Sequence, residues 1–437
     1  MHLLLVLPLF LQPAPDIIYY NANVVTGTSA RAQAIAIRGN RFIAAGSTAE
    51  IRKLAGPATK QIDLEGRTVL PGLNDSHTHP IGAALSEADG PVPVMHSIAE
   101  IQAYIRRLAS TTPPDRVIFV PKVYSTRLRD RRYPTRHEID AAAPGRLAMT
   151  DNGYASVLNS PMLAKLGITR ATAEPANGKI LRDASGEPTG LILGAPQLLG
   201  PARAGRAHSF DDRVRALLAM QKAYNAAGIT STIDRGQSAD GFRVYQHLWR
   251  NKQLTVRSSV TYMISAQGAP ADVRRQVEQI PFTTGFGDHW FRVGAIKAVA
   301  DGGILIGTAY LREPYGANTQ IYGYTDPDYQ GVLSVPRENL IAMAKAASDL
   351  GWQMTAHTTG GGATDALLDA YEAAHRDRSI RDRRFVVTHG NFPNARAIER
   401  AKQLGVAFDV QPAWHHLDGP ALKDVFGPSR TSHFLPL

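Results

Sequence analysis

The 437-residue sequence contains no cysteine. This absence excludes disulfide bonds, thiol nucleophiles and cysteine-ligated zinc. A metal ion would have to be held by histidine, aspartate or glutamate, or by a group made from lysine.

Long apolar runs are also scarce. The apolar run within residues 1–15 is about nine residues long, too short to span a bilayer, so stable membrane insertion is not expected. It resembles the hydrophobic part of a signal peptide, although the positive n-region is missing. We therefore predict a signal peptide over residues 1–15 and a periplasmic or secreted protein. The alternative is a cytoplasmic protein with a disordered or wrongly started N-terminus.

Positive charge is in excess but is not concentrated. The formal net charge is +10, yet the arginines are scattered apart from a short cluster at residues 127–132. No stretch interleaves basic and aromatic residues as a nucleic-acid groove does. We expect a small-molecule substrate and no nucleic-acid partner, and the composition is compatible with an oligomer.

The first part of the chain is rich in strand patterns. Residues 34–37 and 42–46 flank a tight turn at residues 38–41, and further short strands lie at residues 17–20, 24–25 and 62–64. These patterns predict a small antiparallel sheet over residues 16–68, ahead of the main domain.

The rest of the chain alternates short apolar strands with helical stretches, which is the signature of βαβ units. A (β/α)8 barrel takes roughly 250 residues and fits within residues 69–437. Residues 81–210 break the rhythm and predict an inserted subdomain. Besides the strand before His77, the strand candidates are residues 228–233, 254–262, 291–299, 352–356, 385–388 and 406–410.

Histidines lie where several of these strands end. His77 and His79 are two residues apart, so on a strand their side chains point to the same side. His357 and His389 end two later strands. Because the carboxyl ends of barrel strands converge on one face, these imidazoles predict a metal site.

Lys297 lies inside an apolar strand, close to Asp301. Burial would lower the pKa of this lysine and leave a neutral amine. Such an amine adds carbon dioxide to form a carbamate, an anionic ligand able to bridge two metals. The alternative is a charged lysine that pairs with Asp301 or with a substrate anion.

With these residues in place, the chain resembles the amidohydrolase superfamily, in particular its YtcJ-like (amidohydrolase 3) branch, to which N-substituted formamide deformylase belongs. The resemblance covers nearly all of residues 16–437. The segment 178–190 is the most specific to the branch. The residues that carry the resemblance lie at 69–79, 157–160, 178–190, 296–302, 357, 389 and 410–412.

The resemblance implies an α/β fold, with a β-sandwich beside a metal-dependent (β/α)8 TIM-like barrel. It implies one or two divalent metals, zinc above all, and hydrolysis of a non-peptide C–N bond such as that of an N-substituted formamide. Two alternatives stay open, a mononuclear deaminase and a non-catalytic metal-binding relative. The positions that match the family's ligands are His77, His79, Lys297 as a carboxylysine, His357 and His389.

Two features depart from the family pattern. Tyr154 stands where the family commonly has a histidine, so we predict substrate contacts by Tyr154 and, as a further aromatic, Trp414. The sequence also has no match for the aspartate of the family's eighth strand, the general base. We therefore expect an incomplete barrel, a C-terminally truncated chain and low activity, with Asp301 as the best substitute base ahead of Asp234 and Asp409.

Overall fold

The computed structural model describes residues 13–28, 31–87, 90–175, 178–203 and 208–435. The predicted signal peptide therefore falls almost entirely outside the described residues. The chain divides into two units, Met1–Leu73 and Asn74–Leu437. Among the described residues, no helix has the length and apolarity needed to cross a bilayer.

Among the described residues of the first unit there are seven short strands and one short helix. Its elements are β1 (Ile17–Tyr20), β2 (Asn23–Val25), β3 (Arg31–Ala32), β4 (Ala34–Arg38), β5 (Arg41–Gly46), α1 (Thr48–Arg52), β6 (Lys60–Asp63) and β7 (Thr68–Val69). They form two sheets, in the orders β5-β4-β1-β6 and β3-β2-β7. Two small apolar clusters support these sheets, one around Ile18 of β1 and one around Val24 of β2.

The prediction of an antiparallel sheet is wrong for two strand pairs. The tight turn before Arg41 makes β4 and β5 antiparallel as expected. However, β1 pairs with β6 and β2 pairs with β7 in parallel. Both parallel partners return after a long connection that includes α1, and such a crossover permits parallel pairing where a hairpin does not.

The second unit begins with β8 (Leu73–Thr78) and α2 (Pro80–Leu85), and a smaller α/β region follows. That region consists of α3 (Ile98–Thr111), β9 (Ile118–Pro121), α4 (Arg136–Ala142), β10 (Ala148–Asp151), β11 (Ala155–Leu158), α5 (Ser160–Leu166), β12 (Lys179–Arg182), β13 (Pro188–Leu193) and α6 (Pro196–Arg203). Its five strands form a sheet in the order β12-β13-β11-β10-β9.

The remaining elements alternate strictly between helix and strand. They are α7 (Phe210–Ala226), β14 (Ile229–Gln237), α8 (Ala239–Arg250), β15 (Arg257–Met263), α9 (Pro270–Glu278), β16 (Phe291–Val299), α10 (Arg337–Leu350), β17 (Met354–Thr358), α11 (Gly361–Asp377), β18 (Val386–His389), α12 (Ala395–Leu404), β19 (Ala407–Asp409) and α13 (Pro412–Thr431). All six strand candidates after residue 81 are confirmed, with shifts of a few residues at their ends.

These strands and β8 form a nearly closed, TIM-like barrel sheet in the order β19-β18-β17-β16-β15-β14-β8. Neighbouring strands from β14 to β19 are parallel. The central strands β17 and β18 are buried along their whole length, as parallel strands covered on both faces are. Within the described residues the sheet has seven strands, as the sequence predicts, and β8 and β19 are its edges.

Candidate metal centre

Four histidines meet at the carboxyl ends of the barrel strands. His77 lies in β8, His79 follows it directly, His357 lies in β17 and His389 ends β18. The ring centroids are 5.3 Å apart for His77 and His79, 4.7 Å for His77 and His389, and 4.4 Å for His357 and His389. The structure therefore brings together all four histidines singled out from the sequence.

Lys297 belongs to the same cluster. It lies in β16 with only 3% of its surface exposed. Burial and, as a smaller effect, the nearby guanidinium of Arg235 together lower the pKa of Lys297 to about 7. A large share of the amine is therefore neutral near pH 7.

The buried imidazoles are neutral as well. Burial lowers the pKa of His77, His357 and His389, and the charge of Lys297 lowers it further in each case. The pKa of His79 is lowered as well, to about 3, by loss of solvation and by the charge of Lys297, although 52% of its side chain is exposed. Neutral imidazole is the form that binds a metal ion.

Two of the rings each have one nitrogen held by an acceptor. Nδ1 of His77 lies 3.1 Å from Oδ2 of Asp409. Nε2 of His357 lies 3.0 Å from the carbonyl oxygen of Gly302, so this nitrogen carries the proton. In both rings the other nitrogen keeps a lone pair, which is the usual arrangement of a metal-binding histidine.

The other two histidines have similar partners. Nδ1 of His389 contacts Oε1 of Gln411, and Nδ1 of His79 lies 4.0 Å from Oδ1 of Asp234. His389 also has a backbone φ of 72°, a conformation that non-glycine residues seldom adopt and that is typical of functional sites. The fold holds this strand end in a strained conformation.

The chemistry of this donor set fits a divalent metal. It offers four imidazoles and an amine, and hydrogen-bond partners fix one ring nitrogen each of His77, His357 and His389. As the side chains stand, no three histidine, aspartate or glutamate groups of the described residues converge on one point. Binding of an ion would therefore require these side chains to move.

Asp409 is the carboxylate in direct contact with an imidazole of the cluster. Its Oδ2 lies 3.1 Å from Nδ1 of His77 and 2.9 Å from Nε of Arg235, and its Oδ1 accepts a 2.9 Å bond from the hydroxyl of Ser76. Although burial opposes it, these partners hold the pKa of Asp409 below its ordinary value. The sequence ranks Asp409 behind Asp301 and gives Arg235 no role at all.

Asp301 has a different environment. Its oxygens accept backbone N–H bonds from Tyr310, Thr359 and Gly360 at 3.0, 2.9 and 2.7 Å. Burial raises the pKa of Asp301 to about 8, although these hydrogen bonds act to lower it. Such contacts organise the loops after β16 and β17, and the role of Asp301 as a base stays a prediction.

Two aromatic side chains lie on the imidazoles. Tyr154 stacks on His357 at 5.5 Å between ring centroids, with its hydroxyl 3.5 Å from Nδ1. Trp414 stacks on His389 at 4.8 Å and an interplanar angle of 21°. Tyr154 comes from the loop between β10 and β11, and Trp414 from α13, so both predicted substrate contacts lie next to the histidine cluster.

Comparison with known proteins now places the chain in a family. The model of an amidohydrolase family, Amidohydro_3, matches residues 60–437. The chain therefore belongs to the amidohydrolase family, as its motifs predict.

Curated relatives are similar over most of the chain. N-substituted formamide deformylase of Arthrobacter pascens is 28% identical over 408 residues, which is 91% of this chain and 73% of that protein. The putative amidohydrolase YtcJ of Bacillus subtilis is 27% identical over 86% of this chain and 69% of its own. Protein LONG AFTER FAR-RED 3 of Arabidopsis thaliana is 27% identical over 92% of this chain and 69% of its own.

Solved structures agree with the fold. An uncharacterized metal-dependent hydrolase from Pyrococcus furiosus has a TM-score of 0.67 at 21% identity, over 96% of this chain and 81% of its own. A second such hydrolase, from Pyrococcus horikoshii, has the same TM-score at 22% identity, over 96% of this chain and 79% of its own. At these identities the likeness extends to the fold alone.

Proposed function

We propose that the protein is a metal-dependent hydrolase that cleaves a non-peptide C–N bond, as in an amide or an N-substituted formamide. The observation that carries this proposal is the cluster of His77, His79, His357 and His389 around Lys297. Family membership supports the hydrolase class. The formamide substrate rests on the name of one relative, so it is the part most in need of a test.

The four histidines would hold the metal, with zinc as the best match for imidazole ligands. As a carbamate, Lys297 would supply an anionic ligand for a second metal ion as well as for the first. When bound, the metal lowers the pKa of a water molecule toward about 7 and polarises a carbonyl oxygen.

Lys297 supplies its own part of this chemistry. Its neutral amine attacks the carbon of carbon dioxide, a C–N bond forms, and one proton leaves the nitrogen to solvent. The product is a carbamate with one negative charge. Because burial lowers the pKa of Lys297 to about 7, the amine that this step needs is present at neutral pH.

The substrate would lie between the aromatic rings of Tyr154 and Trp414. Trp414 offers a flat apolar face beside His389, which suits the N-substituent of an amide. The hydroxyl of Tyr154 stands next to His357 and could donate to a carbonyl oxygen. Asp301, Asp234 and Asp409 are the candidate proton acceptors, and they are distinguished by Asp301→Asn, Asp234→Asn and Asp409→Asn.

The test is product release by the full chain, loaded with Zn²⁺ and, separately, stripped with a chelator. The panel comprises N-substituted formamides, longer N-acyl amines and amino-substituted heterocycles. The proposal predicts formate or another carboxylate together with an amine, in equal amounts and only from the loaded protein. Ammonia from the heterocycles alone would establish a deaminase instead. Bound zinc without turnover of any substrate would contradict an enzymatic function.

A further inference from the structure

The barrel sheet has two edge strands that no backbone pairing joins among the described residues. β8 and β19 stand at opposite ends of the strand order. They are also less buried than the central strands, since β8 has one buried residue of six and β19 one of three. An edge strand is hydrogen-bonded to a neighbour on one side only, so it is held less firmly than a central strand. His77 lies on one of these edges, so its position needs another support.

Arg235 provides a side-chain bridge between the two edges. It lies on β14, beside β8. Its Nε donates to the carbonyl oxygen of Ser76 on β8 at 3.1 Å and lies 2.9 Å from Oδ2 of Asp409 on β19. The exposed fractions are only 6% for the side chain of Arg235 and 4% for that of Asp409. A buried pair of this kind is held far more firmly than a pair at the surface.

The bridge ends on an imidazole of the cluster. Oδ2 of Asp409, which contacts Arg235, also accepts a hydrogen bond from Nδ1 of His77 at 3.1 Å. With its other oxygen it accepts from the hydroxyl of Ser76. An ionised carboxylate accepts hydrogen bonds only, so it assigns the imidazole proton to Nδ1 and leaves the lone pair on Nε2. The orientation of His77 thus depends on where Arg235 holds Asp409.

We infer that Arg235 is a positioning residue that joins β8 to β19 through Asp409 and so orients His77 toward the metal. This inference rests on the proposed function, because it assumes that His77 is a ligand. Loss of such supporting partners typically weakens metal binding by roughly 10–100-fold.

The test measures the Zn²⁺ affinity of the full chain by competition with a chelator, and records the visible spectrum of its Co²⁺ form. The variants are Arg235→Gln, Arg235→Lys, Asp409→Asn and the double variant Arg235→Gln/Asp409→Asn. Arg292→Gln is the matched control, since Arg292 is an exposed arginine on another strand of the barrel sheet, β16. His77→Ala tests the assumption about the ligand.

Arg235→Gln should weaken Zn²⁺ binding roughly 10–100-fold and change the Co²⁺ spectrum, while Arg292→Gln changes neither. Arg235→Lys keeps the charge and should lie between wild type and Arg235→Gln. In the Asp409→Asn background, Arg235→Gln should weaken Zn²⁺ binding little further, because Arg235 acts on His77 through Asp409.

The inference is overturned if Arg235→Gln binds Zn²⁺ as wild type does while His77→Ala has lost it. If His77→Ala also keeps its zinc, it is the proposed function that fails. A purely structural role would lower the melting temperature without changing the Co²⁺ spectrum of the folded protein. If Arg235→Gln does not fold, Arg235→Lys decides, and wild-type affinity and spectrum in that variant overturn the inference.

Discussion

Nδ1 of His77 lies 3.1 Å from Oδ2 of Asp409, and this contact joins the first strand of the barrel sheet to the last. It connects two residues that are 332 positions apart in the sequence. The contact gives the histidine cluster a carboxylate partner from β19, the seventh strand of the described sheet.

Lys297 should carry a carbamate in the metal-loaded protein. The neutral amine produced by burial adds carbon dioxide, and a bound metal would favour the anionic product. Incubation with ¹³C-labelled bicarbonate should give a carbamate signal in the ¹³C NMR spectrum of wild type and none in Lys297→Arg. Equal signals in the two proteins would show that the carbamate forms on an amine other than that of Lys297. No signal in either protein would show that Lys297 is not carbamylated.

Trp414 should contribute to substrate binding. Replacing Trp414 with leucine removes the flat face beside His389 and about 0.5–1.5 kcal/mol of ring contact, or roughly a two- to tenfold rise in KM. Steady-state kinetics on the best substrate of the panel measures this. Tyr154→Phe separates the hydroxyl from the ring. If Trp414→Leu keeps the KM of wild type, the ring of Trp414 does not contact the substrate.

A buried ion pair should hold α13 to the region between β8 and β14. Asp418 is fully buried, accepts bonds from Arg127 at 3.0 and 2.9 Å, and accepts from Thr126 at 2.8 Å. Asp418→Ala leaves the guanidinium without its partner and should cost about 3–5 kcal/mol of unfolding free energy in urea titrations.

The matched control is Asp424, whose side chain is 71% exposed and 3.5 Å from Arg131. Asp424→Ala should cost less than about 1 kcal/mol, because solvent screens a surface pair. Equal losses of unfolding free energy in the two variants would mean that the buried ion pair stabilises the fold no more than the surface pair does.

Glu138 should make stability depend on pH in the acid range. Hydrogen bonds from Arg132 and Thr135 lower the pKa of Glu138 from 4.5 to about 2. A lowered pKa in the folded state gives stability that is complete above the unfolded pKa and is lost as the pH falls from about 4.5 to about 2.

Glu138→Gln should therefore cost about 1 kcal/mol near neutral pH, the usual value for a capping contact, and less as the pH falls through that window. Thermal unfolding at several pH values measures the difference. Glu313→Gln, at an exposed glutamate, serves as control. A difference between wild type and Glu138→Gln that is constant with pH would contradict the assignment.

The strand ends and their histidines could be predicted because they depend on local patterns. A two-residue spacing places His77 and His79 on one side of a strand, and short apolar runs end at His357 and His389. The parallel pairing of β1 with β6 could not be predicted, because it depends on a crossover rather than on a turn.

The contact between Arg235 and Asp409 was beyond prediction for a similar reason. Nothing in the sequence near either residue indicates its partner, since they meet only when β14 and β19 curve toward β8. An arginine inside a strand pattern was the one available signal, because a buried arginine requires a partner. Asp301, by contrast, is a candidate base because it is near Lys297 in the sequence, but its oxygens accept from backbone N–H groups.

The most direct test of the account is the zinc content of the purified chain, measured by elemental analysis in wild type, His77→Ala, His389→Ala and His247→Ala. His247 is an exposed histidine on α8 and serves as the matched control. The account predicts tightly bound zinc in wild type and in His247→Ala, and loss of zinc in the other two. Unchanged zinc content in His77→Ala and His389→Ala would contradict it.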